Sequence, residues 1–417
     1  MRLVHSFSLF EEICVLFDEN DTPATVSVWR ENDLSVGTIC LARAVQAVPS
    51  GWFLDTGRGE TVYLNTPSSF IKADGTVSTT KLSEGDLLLV EISRQASREK
   101  KAEARTRINL PGKTIVFRPG TDQVSFSKRL SAEAADRLNS FLPSGGVLFR
   151  TAAEFETRQN ICAEFSALKQ RWQSILKSAG KPGILYRPEK DVFVLADQYE
   201  KSLTQIITDD ASTAARLKEK GAPVSFCLNG VWERENMAEA LDAALSETSD
   251  LPSGGTLITQ QTAACVCFDV NAGSGSPGSA NAEACREILR QIRLKSLGGQ
   301  MIIDFAGRKE KKFLHTLLPR LKQDGVFVAG FSSLGLAEIT VEKTRRSVFD
   351  AFGTEQREAA ELIRRLWFSL PVSEVKVLAP QHVLNIIRSY SEQLEERLKT
   401  SIKLQPSDRI GLEGLKK

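Results

Sequence analysis

Residues Thr256–Asn271 read TLITQQTAACVCFDVN. Two short apolar runs flank a Thr-Ala-Ala break, the pattern of a β-hairpin. The second run ends in Asp-Val-Asn and passes into AGSGS, residues 272–276. A helix is predicted from about Ala280 to Leu297, because Ala284, Ile288 and Ile292, with Cys285 and Leu289, recur at helical spacing. Gly298 and Gly299 stop it. QMIIDF (300–305) then reads as a strand, Lys311–Gln323 as a helix and VFVAGF (326–331) as a strand. Strand–helix–strand–helix–strand predicts an α/β fold with a largely parallel sheet.

That order has a chemical consequence. Asp269 ends one strand and Asp304 lies near the end of the next. A right-handed crossover would make those strands neighbours. Both carboxylates would then emerge at the carboxyl edge, where parallel sheets place ligands. Two carboxylates that close repel each other. A divalent cation removes the conflict, and Mg²⁺ suits a few carboxylate oxygens with waters and a phosphate. Asn271 shares the side of Asp269 at i+2 and is a candidate to orient a ligand or a water. The same acids also suit strand-end caps and turns, and spacing alone does not separate the two readings. Cys265 and Cys267 face the same way on the strand and are expected as small core residues rather than metal ligands.

The whole chain has 417 residues, 41% hydrophobic and 25% charged, an ordinary globular composition with room for roughly two to four domains. No apolar run is long enough to span a bilayer. Glu11, Glu12 and Asp18 interrupt the apolar N-terminus, which argues against a signal peptide and predicts a first strand and helix. Seven cysteines without paired spacing fit a reducing cytosol, so the expected location is cytoplasmic. His5, His315 and His382 are far apart in sequence, so no histidine-based nucleophile or zinc site is expected. His315 is expected to be structural or on the surface.

A net charge of +2 excludes a polycation, yet from Arg94 to Arg129 ten Lys/Arg stand against three acids. Such clustering suits a polyphosphate partner and equally a solvated basic face. Short strands over residues 31–112 predict a small antiparallel barrel of the OB type. Phe53 and Tyr63 lie on adjacent strands there, placed either as a base-stacking platform or as core. Residues 113–187 mix strands with an amphipathic helix ending at Gly180. The phrase LPSGG occurs at 142–146 and 251–255, each time before an apolar strand, and reads as reused turn chemistry. Residues 188–247 look like α/β material, with DVFVLADQ (191–198) as a strand and ENMAEALDAALSE (235–247) as a helix. The last 65 or so residues suggest a small separate α/β domain.

Taken in order, LPSGG before an apolar hairpin, then FDVN, then RQIRLKSLGGQMIIDF (290–305) resemble the catalytic core of the RNase E/G family of bacterial endoribonucleases. Arg293, Leu294, Lys295, Leu297, Gly298 and Gly299 match the family's Arg-Leu-Arg-x-Leu-Gly-Gly, with Lys for the second Arg. GWFLDTGRGETVYL (51–64) resembles its OB-fold segment, and VLFRTAA (147–153) its pocket for an RNA 5′ monophosphate.

The resemblance implies an RNase H-like domain (1–30 and 188–247) interrupted by an OB barrel (31–112) and a 5′-sensor region (113–187). A DNase I-like catalytic domain (248–347) and a small C-terminal domain (353–417) would follow. Asp269 and Asp304 would hold Mg²⁺, with Asn271 beside them. Phe53, Tyr63, Lys100, Lys101, Lys128 and Arg129 would line the RNA path, and Arg150 and Thr151 would bind the 5′ phosphate. The expected activity is Mg²⁺-dependent cleavage of single-stranded RNA with 5′-monophosphate sensing, in RNA processing, rRNA processing included, or decay.

Departures define the second reading, a catalytically weak or inactive RNA-binding relative. Ser333 and Leu334 replace an Arg-Phe, Val341 replaces another Arg, and Gly307 stands where an Asp is common. The family's Cys-Pro-x-Cys zinc link is absent, so a homodimer would rest on other contacts. A third reading, a small-molecule phosphohydrolase, leaves the barrel aromatics and the basic stretch without a purpose.

Overall fold

The computed structural model describes residues 1–31, 33–96, 100–141, 145–228, 230–307, 311–323, 325–369 and 372–414. Arg98 of the basic stretch and Leu142, Pro143 and Ser144 of the first LPSGG lie outside the described residues. The chain forms two units, Met1–Asp33 with Glu189–Lys417, and Leu34–Pro188.

Leu34–Pro188 contains a closed, OB-like barrel. Strands Ile39–Val48, Gly51–Asp55, Thr61–Asn65, Glu103–Arg105 and Leu87–Arg94 follow one another, and Ile39–Val48 pairs back onto Leu87–Arg94. Alternation drives the closure: Leu54, Val62, Leu64, Cys40, Leu88 and Val90 point inward and are fully or almost fully buried. Their neighbours Phe53 and Tyr63 point out. A second sheet runs Leu110–Pro111, Ile115–Phe117, Val147–Phe149, Val124–Phe126. It is covered by the helix Arg158–Lys177, whose Ile161, Phe165, Leu168, Trp172 and Ile175 keep helical spacing on one buried face. The Thr157 hydroxyl caps that helix by accepting from Asn160 N.

The other unit begins with a five-stranded sheet in the order Val224–Phe226, Gln205–Thr208, Arg2–Phe7, Glu12–Phe17, Pro23–Trp29. The first three are parallel and the last two antiparallel additions. Arg2 pairs with Gln205 and His5 with Thr208. Against the expected strand and helix, the N-terminus is a strand pair. EICVLF is buried along its whole length, and so short a run carries no 3.6-residue periodicity. Conversely, DVFVLADQ is a helix, Asp191–Gln198. Val192, Leu195 and Ala196 at i, i+3 and i+4 are buried, a helical stripe hidden inside an apolar run.

Glu11 is the hub of a buried ion cluster in this unit. One carboxylate oxygen accepts from Arg30 Nη2 at 2.8 Å, the other from Arg364 Nη2 at 2.7 Å. Arg30 also donates to Ala351 O and lies over the Phe10 ring, and Arg364 lies 3.7 Å from the Trp232 ring centre. Residues 353–417 bring a three-stranded sheet with Glu374–Ala379 at its centre. Their Leu362, Leu366, Val375 and Leu384 share one core with Val4, Val15, Met237 and Ala240.

The last sheet runs Thr248–Asp250, Thr256–Gln261, Val266–Asn271, Gly299–Asp304, Ala337–Val341, Val326–Phe331. Only Val266–Asn271 and Gly299–Asp304 pair in parallel, and the other four pairings are antiparallel. The expectation of a largely parallel sheet fails because Ala337–Val341 returns by a hairpin and inserts between its two predecessors. Helices Pro277–Leu294 and Lys311–Leu321 contribute Ala284, Ile288, Leu317 and Leu321 to the core on one face, with Phe268 and Ile303.

Candidate functional site

The parallel strand pair sets the site. Phe268 pairs with Ile303 and Asp269 with Asp304. Side chains alternate, so with Phe268 and Ile303 buried beneath the helices, both aspartates point to the other face. In-register Cα atoms on adjacent strands lie about 5 Å apart. Asp269 is exposed, and Asp304 is partly exposed. Asn271 Nδ2 donates to Asp269 Oδ2 at 3.3 Å.

Three local devices hold this edge. LPSGG at Leu251–Gly255 packs against the loop that follows Asn271. A Cβ on Gly255 would lie 2.4 Å from Asn271 O, and one on Gly273 would lie 2.2 Å from Gly254 O, so only glycine permits the approach. Ser276 then caps the Pro277–Leu294 helix by accepting from Ser279 N. Asn281, fully buried on that helix, exchanges two hydrogen bonds with Ala306, Nδ2 to the carbonyl at 3.0 Å and Oδ1 from the amide at 2.9 Å. This fixes the chain two residues after Asp304. Sequence reasoning missed Asn281, although a polar residue on an apolar helical stripe was the available signal.

Lys295 is fully buried and donates to Ala244 O and Ser246 O. Burial lowers its ammonium to about 8, while the two carbonyls at a helix end favour the charged form. It ties the end of the helix Met237–Leu245 to the end of the helix Pro277–Leu294. Gly307 has φ +85°, and an added Cβ would meet Pro277 Cβ at 2.9 Å. The turn at Ser332–Gly335 stands at the same edge as Asp304, because Ala337 pairs with Ile303. Leu334 is exposed at its tip.

Cys265 and Cys267 are not core. Both are partly exposed, and Cys267 shares strand parity with Asp269 and Asn271. Their sulfurs lie 3.8 Å apart. His315 is exposed, its ring edge-on to Phe331. His5 is buried between Thr208 and Glu12. Among the described residues, no group of three or more His, Cys, Asp or Glu converges as a metal site. Nor, among them, is any helix long and apolar enough to cross a membrane.

Within Leu34–Pro188, Phe53 and Tyr63 are register partners with ring centres 5.9 Å apart. Lys101 Nζ lies 4.9 Å from the Phe53 ring centre and donates to Thr61 Oγ1. The Tyr63 hydroxyl is fixed by Ser50. Lys100, next to Lys101 in sequence, is exposed. Arg150 and Thr151 follow the strand Val147–Phe149 and are exposed. Arg150 Nη1 donates to Gly112 O at 2.7 Å. Ser127 Oγ lies 3.0 Å from Thr151 Oγ1 and accepts from Arg129 N. Ser127 thus brings the Lys128–Arg129 turn to the Arg150–Thr151 segment. Burial, with Arg107 and Arg105 nearby, lowers the Arg118 guanidinium, which marks a concentration of positive charge that the sequence count did not localise.

The sequence model described as the ribonuclease E/G family matches residues 109–344. Ribonuclease G of Salmonella typhimurium (strain SL1344) is 29% identical over 299 residues, covering 64% of this chain and 61% of that protein. Ribonuclease G of Escherichia coli (strain K12) is 30% identical over the same coverage. Ribonuclease E of a Nostoc species is 27% identical over 320 residues, 68% of this chain and 47% of that protein. The chain therefore spans about three fifths of the ribonuclease G relatives it matches.

Proposed function

The chain belongs to the ribonuclease E/G family, and from that premise we propose that it is a metal-dependent endoribonuclease acting on single-stranded RNA. The observation that carries this reading is the in-register pair Asp269–Asp304 on an exposed sheet edge. The donor set fits a hard divalent cation such as Mg²⁺: two carboxylates and a nearby amide, all offering oxygen. Such an ion, when bound, supplies Lewis acidity toward a phosphodiester. Asn271 holds the Asp269 carboxylate in orientation, and Asn281 keeps the Asp304 strand end in register.

Substrate binding draws on the other unit. Phe53 and Tyr63 offer stacking faces to successive bases, and Lys101 adds charge beside them. Arg150 presents a guanidinium fork, and Thr151 a hydroxyl, to a terminal phosphate. Lys128 and Arg129, brought alongside by Ser127, add cations to the same pocket, which supports 5′-monophosphate sensing. Strand order in the N-terminal sheet supports an RNase H-like reading of that layer, and the two-helix-covered sheet supports a DNase I-like one. A role in RNA processing or decay in the cytoplasm follows from the same reading.

The second reading, a weak or inactive RNA-binding relative, draws on Gly307, whose conformation leaves no room for an acid beside Pro277. One experiment separates them. A 5′-monophosphorylated oligoribonucleotide should be cleaved with Mg²⁺ and not without it, and Asp269→Asn and Asp304→Asn should each abolish cleavage. Cleavage that survives both substitutions removes the endoribonuclease assignment from this edge. Salt-sensitive binding without turnover at any Mg²⁺ concentration selects the second reading.

A further inference from the structure

We propose that Arg105, Arg107 and Arg118 form a phosphate site for the backbone of single-stranded RNA, which holds the strand between the 5′-end pocket and the barrel aromatics. The site presupposes the RNA-binding role proposed for Phe53, Tyr63, Arg150 and Thr151.

These three guanidiniums gather around one carboxylate, that of Glu91, which is almost fully buried. One Glu91 oxygen accepts from Arg105 Nη2, and the other accepts from the Asn109 backbone amide and side chain. Glu91 therefore offsets one cation of the three. Arg118 is turned onto neutral acceptors, Nε donating to Asn109 Oδ1 at 3.2 Å and Nη1 to Ser125 Oγ at 3.0 Å. Arg107 is exposed, and its guanidinium has no hydrogen bond or ion pair among the described residues. Burial lowers the Arg118 guanidinium, and Arg107 and Arg105 lower it further. Without a ligand the group is thus held together against its own repulsion. A phosphate relieves that repulsion, and guanidinium forks match its oxygens.

The cations are also held in place. Asn109 links Glu91 to Arg118, and the Ser125 hydroxyl donates to Val147 O while it accepts from Arg118. Arg105 belongs to the barrel, and Arg118 directly follows the strand Ile115–Phe117 of the second sheet. A ligand meets guanidiniums that are already aimed.

Their position gives the ligand its length. Glu103 pairs with Tyr63, and Ala104 is buried, so Arg105 returns to the outward side that carries Tyr63 and Phe53. At the rise of a β-strand it stands about 7 Å along from that row. At the other end, Ser125 precedes Ser127 by two residues, on the same side of an extended segment. Ser127 Oγ lies 3.0 Å from Thr151 Oγ1. One RNA strand running from Arg150 to Phe53 passes the three arginines. Contacts to backbone phosphates add affinity and register without reading bases.

The test uses the full chain without Mg²⁺ and 5′-monophosphorylated oligoribonucleotides, followed by anisotropy. Arg107→Gln breaks no side-chain hydrogen bond or ion pair among the described residues. It should weaken binding about 3- to 10-fold and lower the salt slope by about 0.7, the value of one phosphate contact on a single strand. Lys177→Gln, which removes an exposed charge at the end of the helix Arg158–Lys177, should change neither. A scan with one neutral methylphosphonate linkage at a time locates the contact. In the wild type, one or two internal linkages should cost affinity when neutralised, and in Arg107→Gln that penalty should shrink at least threefold. The same penalty profile in both proteins overturns the site. Inorganic tripolyphosphate that binds the wild type and not Arg107→Gln, with the profile unchanged, identifies a free-anion site and also overturns it. Arg150→Ala probes the 5′-end pocket by itself: it should abolish the preference for a 5′ phosphate over a 5′ hydroxyl and leave the internal penalties in place. A preference that survives Arg150→Ala removes the pocket, while the methylphosphonate profile still decides the arginine site.

Discussion

Glu11→Gln changes one oxygen for an amide in the Arg30–Glu11–Arg364 cluster, and its cost follows from the geometry. The Glu11 carboxyl is fully buried, and the two guanidiniums are less than a tenth exposed. Each oxygen serves a different arginine, at 2.8 and 2.7 Å. Breaking one buried pair by removing a partner costs about 3–5 kcal/mol, because a buried charge is left uncompensated. Here one substitution strands two cations. Ala351 O, Phe10 and Trp232 still face them, which holds the loss within that range rather than doubling it. For a unit of this size each kcal/mol moves the midpoint by about 2–4 °C, so the expected fall is roughly 6–20 °C. Calorimetry on the full chain, with tryptophan fluorescence to follow Trp232, reads it directly. A triple variant, Glu11→Leu with Arg30→Leu and Arg364→Met, should recover most of the loss, since removing a whole buried ion cluster is often neutral. A Glu11→Gln variant within 1 kcal/mol of wild type would refute the reasoning, because it would mean that the arginines are hydrated.

Three further outcomes are expected. Lys295 has its ammonium lowered to about 8, so between pH 8 and its unfolded value near 10.4 the unfolded chain holds more protons than the folded one. Stability should therefore rise with pH across that window relative to Lys295→Met, by at most about 3 kcal/mol; urea melts at pH 7.5 and 9.5 with an unchanged difference would count against it. Gly307→Asp, which supplies the acid that the family resemblance implies at this position, should destabilise by about 1–3 kcal/mol and leave RNA cleavage no faster, because φ is +85° and Pro277 blocks the new Cβ. Phe53→Ala should weaken single-stranded RNA binding roughly 5- to 150-fold, and Lys101→Ala should lower the salt slope by about one; anisotropy titrations at several salt concentrations check both.

What the sequence made legible were the pieces with local rules. The barrel's short strands were legible, but Phe53 and Tyr63 stayed open between platform and core until the alternation of Gly51–Asp55 and Thr61–Asn65 set them opposite Leu54 and Val62. The run ending in Asp269 was bounded by turn residues, and a single helix separates it from the Asp304 strand, so their adjacency needed only the handedness of one crossover. Information set by distant partners was hidden. EICVLF and DVFVLADQ are both short apolar runs, and neighbours decide which becomes a strand. The antiparallel insertion of Ala337–Val341 depends on a hairpin that no periodicity announces. Cys267 was misread because its apolar neighbours suggested burial on both faces, although its parity with Asp269 and Asn271 already put it on the polar side. Lys295 matched an arginine position by pattern, and only the fold shows it closing a helix end from inside.

The pairing of Arg2 with Gln205 ties the order of synthesis to the order of folding. The first strand leaves the ribosome with its antiparallel partners but without the parallel neighbour that covers its other edge. At about 5–20 residues per second that neighbour arrives some 10–40 s later. The barrel segment between them is complete by then, a folded insert whose two ends, Leu34 and Pro188, adjoin Asp33 and Glu189 of the waiting unit. Until Gln205–Thr208 emerges, the nascent chain carries an uncapped β edge, and that interval is when a chaperone or a second nascent copy has most to gain by binding it.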